Sequence, residues 1–197
     1  MALFRIVEIS QGAIFIDGQD IGTIPLVTLR SHLAIIPQDP VLFTGDIRFQ
    51  LDPFHQYSDE QIWEALQQVN LSETVKGLPN GLSEGIAENG ENLSQGQRQL
   101  LCIARALLRK AKILIVDEGT SAVDPHTDEL IQKVLRKEAY DNGTTVLAIA
   151  HRLQTIIDFD KILVLGQGQV LEYDSPENLL ANDASTFSSM LKEASMH

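Results

Sequence analysis

The run Lys112-Ile113-Leu114-Ile115-Val116-Asp117-Glu118 constrains this chain most. It is short, continuous, apolar and rich in β-branched residues, which suits a strand buried on both faces. It ends in two adjacent carboxylates, Asp117 and Glu118. Ligands collect just beyond the carboxyl ends of parallel strands. Carboxylates in that position can hold a hydrated Mg²⁺ and orient a water for phosphoryl transfer.

A second stretch precedes it, Glu91-Asn92-Leu93-Ser94-Gln95-Gly96-Gln97-Arg98-Gln99. Ser94 followed three residues later by Gln97 predicts a capping box at a helix start. Gly96 lets a ligand approach the backbone with no Cβ in the way. Spare N–H groups and a positive dipole end make a helix N-terminus an anion site, and phosphate is the usual anion.

Further strands are expected at Gly12–Gly18, at Leu33–Pro37 and at Thr144–Ala150, the last two buried. Met1–Glu8 reads as the end of an amphipathic helix, and Leu26–Arg30 as a short helical piece. Ser58-Asp59-Glu60-Gln61 is another capping box, opening a helix that buries Ile62, Trp63, Leu66 and Val69. Val75–Leu78 is a short helix or turn ended by Pro79-Asn80-Gly81. Asp124-Pro125 starts a helix running to about Ala139, with the carboxylate as N-cap and proline at the first position. Gly166-Gln167-Gly168 marks a hairpin, Ser175 caps a short helix, and Thr186–Ala194 is a last one.

Leu93-Ser94-Gln95-Gly96-Gln97 resembles the LSGGQ signature of ATP-binding cassette proteins, and the run ending in Asp117-Glu118 looks like their Walker B motif. The two at this spacing, followed by Ser121-Ala122-Val123-Asp124 and His151, make the resemblance specific. The segments Ile35–Gly45, Leu51–Phe54 and Gly96–Cys102 resemble the second nucleotide-binding domain of the multidrug-resistance-associated (C) subfamily of cassette exporters, and the likeness runs from about Ala2 to the C-terminus. The fold this implies is α/β, a RecA-like P-loop NTPase core with a parallel sheet, in one domain over residues 1–197 with a helical signature-bearing insert at 46–110.

The resemblance also implies roles. Asp117 orders Mg²⁺ through water, and Glu118 is the general base or water orienter. Gln38, following the Leu33–Pro37 strand, resembles the Q-loop residue that touches the metal and the attacking water; a polar loop glutamine is the alternative reading. His151, just past a strand, corresponds to the H-loop residue at the terminal phosphate. Asp124 links the two ATP sites, and Ser94, Gln95, Gly96 and Gln97 close over nucleotide held by a second cassette. The implied cofactors are ATP and Mg²⁺. The implied partners are a second nucleotide-binding domain and transmembrane domains, which place the cassette on the cytoplasmic face of a membrane.

The chain departs from the family in three ways. Gln95 replaces the first of the two usual glycines of the signature, and Gly119 stands where alanine is usual. No G-x-x-x-x-G-K-[ST] occurs in the 197 residues, so the Walker A loop that cradles phosphates is not among them. The chain therefore reads as starting after that loop, through a true start or a truncated gene model. The strand carrying the loop is expected mid-sheet, beside the strand ending in Asp117, and its removal leaves unpaired edges and an exposed core face.

Composition bounds the alternatives. A net charge of -12 argues against a nucleic-acid groove. The single cysteine, Cys102, cannot form an internal disulfide, lies in an apolar helix pattern and is expected in the core. His32, His55, His126 and His197 lack motif context and are expected at the surface. No apolar run reaches the length of a membrane span. Two functions compete: the ATPase engine of an exporter, and a non-hydrolysing fragment that supplies the signature half-site to a partner cassette. A soluble cassette of DNA repair or translation is disfavoured, because coiled-coil heptads and basic linkers are missing.

Overall fold

A computed structural model describes residues 1–117, 123–149 and 153–194. The chain divides into two compact units, Met1–Ile149 and Ala150–His197.

The first unit opens with a single 3₁₀ turn at Ala2–Phe4, where a helix over Met1–Glu8 was expected. Arg5 ends it in a left-handed conformation at φ 49°. Three residues are too few to propagate a helix, and the Arg5 guanidinium is drawn off to the carbonyls of Ile21 and Ile24 at 3.1 and 2.7 Å. Strands β1 (Phe15–Ile16) and β2 (Gln19–Asp20) form a minimal hairpin across Asp17-Gly18. The expected Gly12–Gly18 strand is therefore shorter than read. Helix α1 (Leu26–Ser31) leads into β3 (Leu33–Ile36), which stops at Pro37.

Next come β4 (Gly45–Asp46), α2 (Ile47–Leu51), α3 (Asp59–Gln68), α4 (Ser72–Lys76), β5 (Gly85–Ile86) and α5 (Gln95–Leu108). The Ser58–Gln61 capping box at α3 forms as expected. Ile62, Leu66 and Val69 are buried; Trp63 is only half-buried, with the Lys76 ammonium 5.8 Å from its ring centre. The pairing of β4 with β5 had no signal in the sequence. Helix α5 is buried almost all round from Gln99 to Leu108, as a helix apolar on every side must be. Cys102 lies in this core, and burial pushes its thiol pKa up.

Strand β6 (Ile113–Asp117), helix α6 (Pro125–Asn142) and strand β7 (Thr145–Ile149) complete the unit. Helix α6 runs to Asn142, three residues beyond the expected end near Ala139, and Gly143 ends it in the left-handed conformation. The sheet order is β3-β6-β7, all parallel, with β6 central. This corrects the expected place of a further strand. Both flanks of β6 are hydrogen-bonded, so no strand can insert beside Asp117. The outer edges of β3 and β7 are the ones left among the described residues.

One sheet face, with Ala34, Ile36, Leu114 and Val116, joins the main core. The opposite face is partly bare: Ile35 is 44%, Leu147 55% and Ile149 56% exposed. Strand β7 is thus not buried as expected, because it is an outer strand with no described layer over one face.

The second unit holds α7 (Leu153–Ile156), β8 (Ile162–Gly166), β9 (Gln169–Asp174), α8 (Pro176–Ala181) and α9 (Thr186–Ala194). Strands β8 and β9 form the expected hairpin, with Gln167 and Gly168 both at positive φ in the turn. Ile162, Val164, Leu179 and Phe187 make its core.

Candidate functional site

Two helix starts meet in the first unit. At α5, Ser94 Oγ accepts from the Gln97 N–H at 3.1 Å, and Gln97 Oε1 accepts from the Ser94 N–H at 2.9 Å. This reciprocal box satisfies two of the donors a helix start leaves open. The amides of Gln95 and Gly96, in the same first turn, have no intrahelical acceptor. The Ser94 hydroxyl uses its oxygen as an acceptor, so its own hydrogen remains to be donated. Ser94 and Gln95 are exposed; Gly96 and Gln97 are half-buried.

At α6, the Asp124 carboxylate accepts from the His126 and Thr127 N–H groups, both at 3.1 Å, and from the Thr127 hydroxyl at 2.6 Å. The Thr127 hydroxyl, the Thr127 amide and the His126 amide together hold the Asp124 pKa below its ordinary value. A depressed carboxylate pKa stabilises fully above the ordinary value near 3.8 and is lost as pH falls through the lower one. Acidification below pH ~4 is therefore expected to lower the protection of the Thr127 amide, measured against its intrinsic exchange rate at each pH, in the native chain and not in Asp124→Asn, which a pH series of hydrogen exchange reads.

Gly96 ties the two starts together. A Cβ there would lie 3.3 Å from Thr127 Oγ1 and 3.8 Å from Asp124 Oδ2. The close approach leaves little room for any side chain and sets two positive helix ends side by side. Sequence reading missed Thr127; its signal was the hydroxyl three residues after an Asp N-cap.

A second group lies at the carboxyl edge of the sheet. The register aligns Ile36, Val116 and Ala148 across the three strands. Gln38 lies two residues past Ile36, and Asp117 one residue past Val116, where it is half-buried. Glu118 and His151 lie outside the described residues, as do Ser121, Ala122 and His197. Gln99 connects the two groups: its Nε2 donates to the Pro37 carbonyl at 3.2 Å. The remaining histidines, His32, His55 and His126, are exposed as expected.

The residues present fit a magnesium nucleotide in part. The α5 start, with its open first-turn amides and a serine hydroxyl left to donate, suits phosphate oxygens, while the α6 start beside it is already capped by the Asp124 carboxylate. Among the described residues no three His, Cys, Asp or Glu side chains cluster as a metal cage. Magnesium needs no such cage, since it takes one or two carboxylates together with substrate phosphates. None of the described helices is long and apolar enough to cross a membrane.

Comparison with known proteins gives a consistent answer. The family model described as "ABC transporter" matches residues 1–121. The chain is 56% identical over 192 residues to ATP-binding cassette sub-family C member 2 of Rattus norvegicus, covering 98% of this chain and 12% of that protein. It is 52% identical over 194 residues to multidrug resistance protein mrp-7 of Caenorhabditis elegans, covering 98% of this chain and 13% of the relative. It thus spans about an eighth of the length of these relatives. The solved structure of a bacterial Atm1-family ABC exporter with ATP bound matches with a TM-score of 0.90 at 36% identity, over 98% of this chain and 34% of that one. The α/β unit with its parallel sheet therefore has the P-loop NTPase fold of an ABC nucleotide-binding domain, and the chain belongs to the ABC transporter family, alongside its multidrug-resistance-associated C subfamily members.

Proposed function

We propose that this chain is part of the ATP-binding and ATP-hydrolysing domain of a membrane exporter, which drives transport by dimerising around ATP. The observation that carries the reading is the contact of Gly96 with the Asp124–Thr127 helix start. It builds one surface in which the open donors of the signature helix start adjoin the Asp124-capped helix start that follows the acid pair.

In this reading Ser94, Gln95, Gly96 and Gln97 close on the terminal phosphate of nucleotide held by a second cassette. Ser94 donates its hydroxyl, the first-turn amides of α5 donate beside it, and Gln97 fixes the Ser94 backbone. Asp124 holds the facing helix start in register and links the two sites. At the sheet edge, Asp117, through water, and Gln38 would hold Mg²⁺, Glu118 takes the proton of the attacking water, and His151 contacts the terminal phosphate. Held there, Mg²⁺ would supply neutralisation of the charge on the phosphate oxygens. Residues 46–110 act as the insert that presents the signature. Transmembrane domains place the assembly on the cytoplasmic side of a membrane.

A second reading concerns these 197 residues taken by themselves. The 197 residues contain no G-x-x-x-x-G-K-[ST]. Acting by itself, the chain would then supply only the signature half-site to a partner cassette that holds the phosphates.

Both readings require that surface, so one experiment tests them together. Adding this chain to an intact partner cassette is expected to tighten that cassette's ATP affinity in a fluorescent-nucleotide titration. Ser94→Ala is expected to remove about 1 kcal/mol of the gain, the size of one net hydrogen bond. An unchanged partner affinity would remove the signature from nucleotide binding.

A further inference from the structure

We infer that Arg105 is a positioning residue, clamping the loop that carries Gln38 against the signature helix. The clamp deepens the ATPase reading above and rests on it for its role in catalysis; its geometry does not depend on that reading.

Residues 37–44 form neither helix nor strand, and Pro40 has no amide hydrogen to donate. Four backbone atoms of the loop are nevertheless held. Gln99 Nε2 donates to the Pro37 carbonyl at 3.2 Å. Arg105 Nη1 donates to the Val41 carbonyl at 3.3 Å, and the Cys102 thiol faces the same oxygen at 4.0 Å. Gln50 Oε1 accepts from the Phe43 N–H at 2.9 Å, while Gln50 Nε2 donates to the Phe43 carbonyl.

Arg105 also fixes Gln50 itself. Its Nε donates to the Gln50 carbonyl at 2.6 Å and its Nη2 to Gln50 Oε1 at 3.3 Å. The guanidinium carbon stands 5.9 Å from the Phe43 ring centre. One planar fork therefore serves Gln50 and Val41 together, a geometry that a lysine ammonium cannot reproduce. Burial depresses the guanidinium pKa, a sign of how far it is drawn from water.

Gln99, Cys102 and Arg105 stand at helical spacing on one face of α5, over about 9 Å of helix. That helix begins at Ser94. The same loop is buttressed nearer the signature, where Leu42 packs on Gly90: a Cβ on Gly90 would lie 2.7 Å from Leu42 Cδ1 and 2.9 Å from Arg98 Cδ. Arg98 Nη1 in turn donates to the Asn89 carbonyl at 3.0 Å. The loop is thus fastened at both ends to the element that carries the signature. Gln38, one residue past the Gln99 anchor and three before the Arg105 anchor, has its reach set by α5.

Two variants test this, Arg105→Lys and Gln50→Met, the second keeping side-chain length while removing the amide. In the native chain without nucleotide, each is expected to speed Phe43 amide exchange about tenfold, with Ile103 of α5 unchanged. In the transporter that carries this cassette, each is expected to lower kcat about tenfold with KM for ATP within about twofold, the pattern of a mispositioned group. Unchanged Phe43 exchange overturns the clamp. Equal acceleration at Ile103 overturns it too, since Arg105 would then merely hold the fold. A raised KM at constant kcat overturns the positioning role. If the unsubstituted transporter does not hydrolyse ATP, the ATPase reading fails separately and the exchange measurement still decides the clamp.

Discussion

Glu118→Gln in a transporter that carries this cassette is expected to slow ATP hydrolysis by about 10²–10⁴-fold, the range of a lost general base. Glutamine keeps the length of glutamate and one accepting oxygen but cannot take up a proton at neutral pH. ATP affinity is expected to stay within about twofold, because the change touches the attacking water and not the phosphate donors. Cassette pairs closed on ATP should then accumulate, since the step that opens them is blocked. Steady-state hydrolysis and a nucleotide-trapping assay read the two effects. Equal rates for the two proteins would take Glu118 out of the mechanism and leave Asp117 and Gln38 to orient water unaided.

The site residues differ in how plainly the sequence marks them. The helix starts were legible because their chemistry is local. Ser94 and Gln97, Ser58 and Gln61, and Asp124 with Pro125 are each fixed within three residues, and each forms as read. The apolar runs were legible as strands for the same reason: a continuous β-branched segment has few other folded uses. Pairing was not legible. Placing an absent strand beside Asp117 failed because β3 and β7 already occupy both flanks of β6, a fact set by contacts across dozens of residues.

Burial of β7 failed for a related reason. Periodicity says that a run could be covered on both faces, not that a layer is there to cover it, and Leu147 and Ile149 stay open. Thr127 and Arg105 lay hidden in different ways. Thr127 is one more first-turn residue in the sequence, and only the approach of Gly96 marks it. Arg105 carries no local signal, since its acceptors Gln50 and Val41 lie 55 and 64 residues away.

The second unit carries the other large prediction, because its core is so small. Phe187 is 1% exposed and packs with Ile162, Val164 and Leu179. Its helix is fastened at the start: the Glu172 carboxylate on β9 accepts from the Thr186 amide at 2.6 Å, the Phe187 amide at 3.1 Å and the Ser185 hydroxyl at 3.0 Å. Phe187→Ala removes the ring and leaves those bonds in place, so any loss is one of packing. Truncating a buried phenylalanine costs about 3–5 kcal/mol, and a unit with so few buried side chains has little stability beyond that. Amides of β8 and β9 are therefore expected to exchange over ~10²-fold faster in the variant, while those of β6 and α5 keep their protection. Protection lost in both units would mean that they unfold together, and protection kept in β8 and β9 would mean that Phe187 does not hold the second core.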